Sequence, residues 1–346
     1  VARRPYRYNQ TNTVMMNNLT LLALVPSNVW LQALLLVAGV AVVLWGADRL
    51  TDGSVALAER MGSPQIVIGL TVVAMGTSMP EFFVSLMSAI NGTPDLAVGN
   101  VVGSNIFNTL LIVGVAAMVA PITILHTTVR KDIPFAMVAS TLLLMMCLDS
   151  EIGRIDALVL FVLFIVFMVF TVRGAHQPKP TDDAPANAEA EAKPAMSPLK
   201  ACLLMLLGLV CLVLGSNVFV GNASAIAHSL GVSDAVIGLT IVAGGTSLPE
   251  LATSTVAAYR GNSGIAIGNV LGSNVFNILM ILGITGLISP MAIQGITTVD
   301  LTMMVVSIMM LWLFSFTKYR VERWEGAALA IVFIGYMAHL ISAAVA

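Results

Sequence analysis

Gly76-Thr77-Ser78-Met79-Pro80-Glu81 returns as Gly245-Thr246-Ser247-Leu248-Pro249-Glu250, and Gly99-Asn100-Val101-Val102-Gly103-Ser104-Asn105-Ile106-Phe107-Asn108 returns as Gly268-Asn269-Val270-Leu271-Gly272-Ser273-Asn274-Val275-Phe276-Asn277. Both pairs belong to one ungapped repeat: residues 62–124 recur at 231–293, offset by 169, with 30 of 63 positions identical. Each copy sets a glutamate, several hydroxyls and several amides inside an otherwise apolar stretch. A duplicated membrane unit carrying a duplicated acid is the pattern of a transporter whose site lies between its halves.

Composition fixes the solvent around the repeat. The chain of 346 residues is 58% hydrophobic and 10% charged, with mean hydropathy +0.94. A soluble domain of this size does not reach such values. Apolar runs of about 20 residues cross the hydrocarbon core as helices, and ten are predicted: 30–48, 63–90, 97–120, 131–148, 155–172, 199–220, 232–259, 264–289, 298–316 and 325–343. The second and seventh exceed one crossing, so tilt or a kink is expected in them. The lipid bilayer is thus the expected surround. The net charge of −2 gives no reason to expect a nucleic acid, and no cofactor is called for. Cys147, Cys202 and Cys211 lie in apolar spans without metal-ligand spacing and are read as packing residues.

The remaining segments divide the chain into four. Residues 1–29 form an N-terminal tail with Arg3, Arg4 and Arg7; no signal-peptide cleavage site follows, and Met15 or Met16 offers an alternative start. Residues 30–172 and 199–346 are two five-helix units. Between them, 173–198 is rich in Ala, Pro, Asp and Glu and reads as a flexible linker. With ten spans, twelve of the 16 basic residues fall on the linker's side and four on the other. This predicts a multi-pass protein of the cell (inner) membrane, with the linker cytoplasmic and both termini outside.

Five spans separate the second from the seventh, so the two copies cross in opposite senses and form an inverted repeat. Thr77 and Ser78 share a helical face with Glu81, as Thr246 and Ser247 do with Glu250, and Ser104–Asn108 and Ser273–Asn277 are i, i+4 pairs. Pro80 and Pro249 remove a backbone donor and free a carbonyl near Gly76 and its counterpart. The donors are all hard oxygens, which suit Ca²⁺ or Na⁺; no histidine or thiol is placed to favour zinc or copper. Two intramembrane glutamates at matched positions argue for function, because an acid at the bilayer centre costs about 2.5–3.5 kcal/mol on insertion scales. The methionines of the fourth and ninth spans are read as lipid-facing filler.

The doubled Gly-Thr-Ser-Met-Pro-Glu and Gly-Ser-Asn-Ile-Phe-Asn motifs resemble the two alpha repeats of the calcium/cation antiporter superfamily, and the chain looks most like a bacterial sodium/calcium exchanger-type member. The resemblance implies an all-α membrane fold of ten transmembrane helices in two inverted five-helix repeats, alternating access, and a central cluster of cation sites. Carried over by motif position, Thr77, Ser78, Glu81, Ser104 and Asn108 would be ion ligands in the first repeat. Thr246, Ser247, Glu250, Ser273 and Asn277 would match them in the second, with the backbone carbonyls of Ala74 and Ala243 as further sodium ligands. One departure is visible: well-known members carry an aspartate where this chain has Asn277, which leaves two central acids. The implied activity is exchange of Ca²⁺ for Na⁺, with an H⁺-coupled or other cation antiporter of the same fold as the alternative. An intramembrane enzyme is disfavoured, since His-Glu-x-x-His is absent and no nucleophile–base pair is evident. A channel is disfavoured because the inverted repeat favours alternating exposure.

Overall fold

The computed structural model describes residues 25–174, 196–231, 243–316 and 318–345; the tail through residue 24 and most of the expected linker lie outside them. Among the described residues twelve helices follow one another. They are α1 (Val29–Met61), α2 (Gln65–Thr77), α3 (Met79–Ile90), α4 (Pro94–Val119), α5 (Thr128–Asp149), α6 (Arg154–Gly174), α7 (Pro198–Ser229), α8 (Ala243–Thr246), α9 (Leu248–Tyr259), α10 (Ser263–Ile288), α11 (Thr298–Ser315) and α12 (Arg323–Val345). Among the described residues eight of these are long and apolar enough to cross a membrane, and the bent pair α2–α3 makes a ninth. Its counterpart is represented by α8 and α9, since 232–242 lie outside the described residues.

Adding 169 to a residue number carries the first half onto the second, and the contacts obey that rule. Two short antiparallel ladders join the halves: β1 (Ile122–Thr123) with β4 (Arg320–Val321), and β2 (Glu151–Ile152) with β3 (Met291–Ala292). The pair Ile122–Val321 maps onto Met291–Ile152, so the two ladders exchange under an internal two-fold. Each ladder also connects loops that a ten-span chain puts on one membrane face. The all-α fold of two inverted halves is therefore built into the contacts.

Two spans run longer than their hydropathy suggests. α1 continues through Asp48, Arg49 and Asp52 to Met61 rather than ending near 48, because these charges neutralise one another and Arg260. It stops at Gly62, whose φ of 60° is left-handed. α7 likewise continues past residue 220 to Ser229. At 33 residues α1 is about 50 Å long, well beyond the hydrocarbon thickness. The two long helices cross through small residues: a Cβ on Gly46 would lie 2.9 Å from the Gly208 carbonyl oxygen, and one on Gly39 would lie 3.0 Å from that of Gly215. Without a solvent-driven force between helices in lipid, such backbone approach supplies the packing.

α4 and α10 form the centre, buried along most of their length, while α1, α6, α7 and α12 surround them. Trp30, Phe170, Leu203 and Ile331 stand exposed on this outer layer, as lipid-facing side chains should. One methionine departs from the expected filler role: Met304 of α11 is 1% exposed, with its sulfur 4.0 Å from Asn105 Nδ2.

Candidate functional site

The kink expected in the second span lies at Ser78, where α2 meets α3 at 48°. Pro80 lies in the first turn of α3, where its missing N–H costs no helical hydrogen bond. Pro249 holds the same place in α9, after Ser247. The break alters the single helical face expected of Thr77, Ser78 and Glu81. Ser78 closes the turn with φ −84° and ψ 9° and sends its side chain to the other half, not along its own helix toward Glu81.

The contacts that result are crossed. Ser78 Oγ donates to Glu250 Oε1 at 3.0 Å, and Ser247 Oγ donates to Glu81 Oε1 at 3.2 Å. Ser247 Oγ lies 3.4 Å from Ser104 Oγ. Both glutamates are 1% exposed, and among the described residues neither has a basic partner. Each carboxylate is steadied by the opposite repeat and keeps its second oxygen, Oε2, without a partner.

Asn108 and Asn277 are the second residues of two matching π-helical turns, at Phe107–Ile112 and Phe276–Ile281. Such turns shift the side-chain register inside an α-helix and recur at functional sites. Asn108 Oδ1, Asn277 Oδ1 and Ser273 Oγ are buried and unpartnered, like the two Oε2 atoms. Five oxygens from the two halves thus forgo hydrogen bonds in a dry interior, where each lost partner costs about 1–3 kcal/mol. The set contains only hard oxygen donors, the kind that suit Ca²⁺ or Na⁺.

Ten of the twelve expected ligands, namely Thr77, Ser78, Glu81, Ser104, Asn108, Thr246, Ser247, Glu250, Ser273 and Asn277, lie within one helical turn of the helix breaks or of the π turns. Ala74 and Ala243 open the equivalent turns before the breaks. The Ala74 carbonyl already accepts the Ser78 N–H at 3.0 Å and lies 3.4 Å from Thr77 Oγ1.

Further polar residues support these and escaped the sequence reading. Asn100 Nδ2 donates to the Glu81 carbonyl and to Ser85 Oγ, and Asn269 Nδ2 does the same to the Glu250 carbonyl and Ser254 Oγ. Thr77 also donates to Asn269 Oδ1 at 3.1 Å. Asn277 Nδ2 donates to Asn105 Oδ1 at 3.0 Å, and Asn108 Nδ2 to Asn274 Oδ1 at 3.2 Å. The signal was present in the quoted motif, which carries three asparagines per copy, each expensive in a membrane helix unless bonded.

Comparisons with known proteins agree with this fold. The family described as "Sodium/calcium exchanger protein" matches residues 31–173 and again 200–342. CaxA of Alkalimonas amylolytica is 38% identical over 309 residues, which cover 88% of this chain and 97% of that one. Sodium/calcium exchanger MaX1 of Methanosarcina acetivorans is 30% identical over 342 residues, covering 88% and 97%. Among solved structures, the sodium-calcium exchanger NCX_Mj soaked with zero Na⁺ and Ca²⁺ superposes with TM-score 0.78 at 30% identity, covering 90% of this chain and all of that one.

Proposed function

The chain belongs to the sodium/calcium exchanger protein family, a family of transporters and not of enzymes, and on that premise we propose that it exchanges Ca²⁺ for Na⁺ across the cell membrane by alternating access at Glu81 and Glu250. One observation carries the reading. Two fully buried carboxylates, one from each half, are each held by a serine of the other half and each keep one oxygen free. A site assembled from both halves comes apart when either half moves, so occupancy and conformation are coupled.

Charge sets the exchange ratio. Two glutamates contribute −2, which one Ca²⁺ neutralises and two Na⁺ neutralise equally. An uncompensated charge in so dry a setting costs several kcal/mol. With Asn277 in the third polar position, the balanced cycle is one Ca²⁺ against two monovalent cations. Two protons satisfy the same balance, so H⁺-coupled exchange is the second reading. The linker faces the cytoplasm and the termini lie outside, as the distribution of basic residues indicates.

Uptake of ⁴⁵Ca²⁺ into proteoliposomes distinguishes the couplings. An outward Na⁺ gradient at equal pH should drive uptake several-fold above an ion-matched control. Uptake driven by an outward H⁺ gradient and indifferent to Na⁺ would replace sodium coupling with proton coupling. Uptake under neither gradient would remove Ca²⁺ as the cargo.

A further inference from the structure

Behind the two unpartnered amide oxygens of the centre lies a second set of carboxamides, Asn105 and Asn274, each 3% exposed or less. Asn105 Nδ2 donates to the backbone carbonyl of Asn274 at 3.1 Å. A carbonyl only accepts, so this bond fixes which end of the Asn105 amide points where. Oδ1 of Asn105 is turned the other way, and Asn277 Nδ2 meets it. Asn277 must therefore present its nitrogen to Asn105 and its oxygen elsewhere. That oxygen is one of the unpartnered five.

Asn274 is fixed by a different route. Its Nδ2 donates to Thr109 Oγ1 at 2.8 Å, and the Thr109 hydroxyl donates to the Asn105 carbonyl at 2.9 Å. With its hydrogen committed, Thr109 can only accept from Asn274. Asn274 Oδ1 is thereby turned toward Asn108, takes its Nδ2, and leaves Asn108 Oδ1 unpartnered. The counterpart of Thr109 in the other half is Ile278. The hydroxyl is thus a relay found on one side only, and it completes a brace that the two-fold alone does not supply.

We infer that Asn105, Asn274 and Thr109 are positioning residues that act across the repeat boundary, Asn105 aiming the Asn277 oxygen and the Asn274–Thr109 pair aiming the Asn108 oxygen toward the transported cation. This rests on the reading of the centre as the cation site. Each ligand amide is bonded directly by an asparagine of the half to which it does not belong. Its own neighbours one turn away do not orient it.

A double-mutant cycle reads this crossing directly. The quantities are the Ca²⁺ dissociation constant of the purified protein and the KM for ⁴⁵Ca²⁺ uptake. Asn105→Ala should weaken Ca²⁺ roughly 5- to 10-fold, the worth of one buried hydrogen bond. In an Asn277→Ala background the same change should cost less than about twofold, because the amide it aims is gone. In an Asn108→Ala background it should keep its full effect. Equal effects in both backgrounds would overturn the proposal. If Asn277→Ala leaves Ca²⁺ affinity unchanged, the reading of the site fails, and the positioning role with it. Should Asn105→Ala not fold, Thr109→Val supplies the same test through Asn108, with Thr109→Ser restoring affinity. Failure of the serine to rescue would count against the relay.

Discussion

At the centre the contacts of the glutamates and ligand amides obey the internal two-fold, Thr109 excepted, whereas along the long helices the charged contacts do not. Centrally, Ser78–Glu250 maps onto Ser247–Glu81, and Asn277–Asn105 onto Asn108–Asn274. At one end of α1, Arg260 bridges Asp48 and Asp52 while Arg49 bridges the same two acids. The corresponding residues at the far end are Asn91, Asn217, Val218 and Gly221, with no charge among them. A cargo site reached alternately from two sides gains from symmetry, because its ligands must serve both. Charges placed toward one end of a span meet one solution only, and there the halves diverge.

The largest expected effect tests the symmetry of the centre. Glu81→Gln and Glu250→Gln should each lower Ca²⁺ flux at least about 100-fold in proteoliposomes, with the protein still monodisperse in detergent. Removing either charge forfeits attraction that offsets dehydration of the ion. Unequal losses, one severe and one mild, would break the symmetric account.

A middling effect is expected at position 277, where the proposed charge balance turns on an amide rather than an acid. Flux in the unmodified protein should change little when the potential is clamped at 0 and −100 mV with K⁺ and valinomycin. Asn277→Asp sets a carboxylate oxygen against Asn105 Oδ1 and adds a third acid, so flux should fall about tenfold and become voltage-dependent. Strong voltage dependence in the unmodified protein, unchanged by the substitution, would contradict the charge count.

The smallest effect belongs to the ends. The four bridging side chains are each about a quarter to a third exposed, and such pairs contribute about 0.2–1 kcal/mol each. Arg260→Ala should speed hydrogen exchange in residues 48–61 a few-fold. Asn91→Ala should alter residues 217–229 less. Equal responses would mean that the charge difference has no mechanical consequence.

Much of this was legible in the sequence, for physical reasons that differ by element. Offset and odd span separation gave the inverted halves, because direction across a bilayer is a parity. Glu81 and Glu250 were legible because an acid in lipid is costly. The length of α1 was not, since hydropathy cannot see that Asp48 and Asp52 find Arg260 more than 200 residues away. Nor was the crossing of Ser78 to Glu250: helical spacing puts Ser78 beside Glu81, and only the bend at Ser78 redirects it. Asn105 and Asn274 stood in the motif, but which asparagine oxygen is left over depends on hydrogen bonds between halves.

The central claim is a single divalent site shared by both halves, and equilibrium ⁴⁵Ca²⁺ binding to the purified protein tests it most directly. The account predicts one Ca²⁺ per chain, displaced by Na⁺, and no measurable binding at the same concentrations in either Glu81→Gln or Glu250→Gln. Two Ca²⁺ per chain, with each substitution removing one and sparing the other, would contradict it.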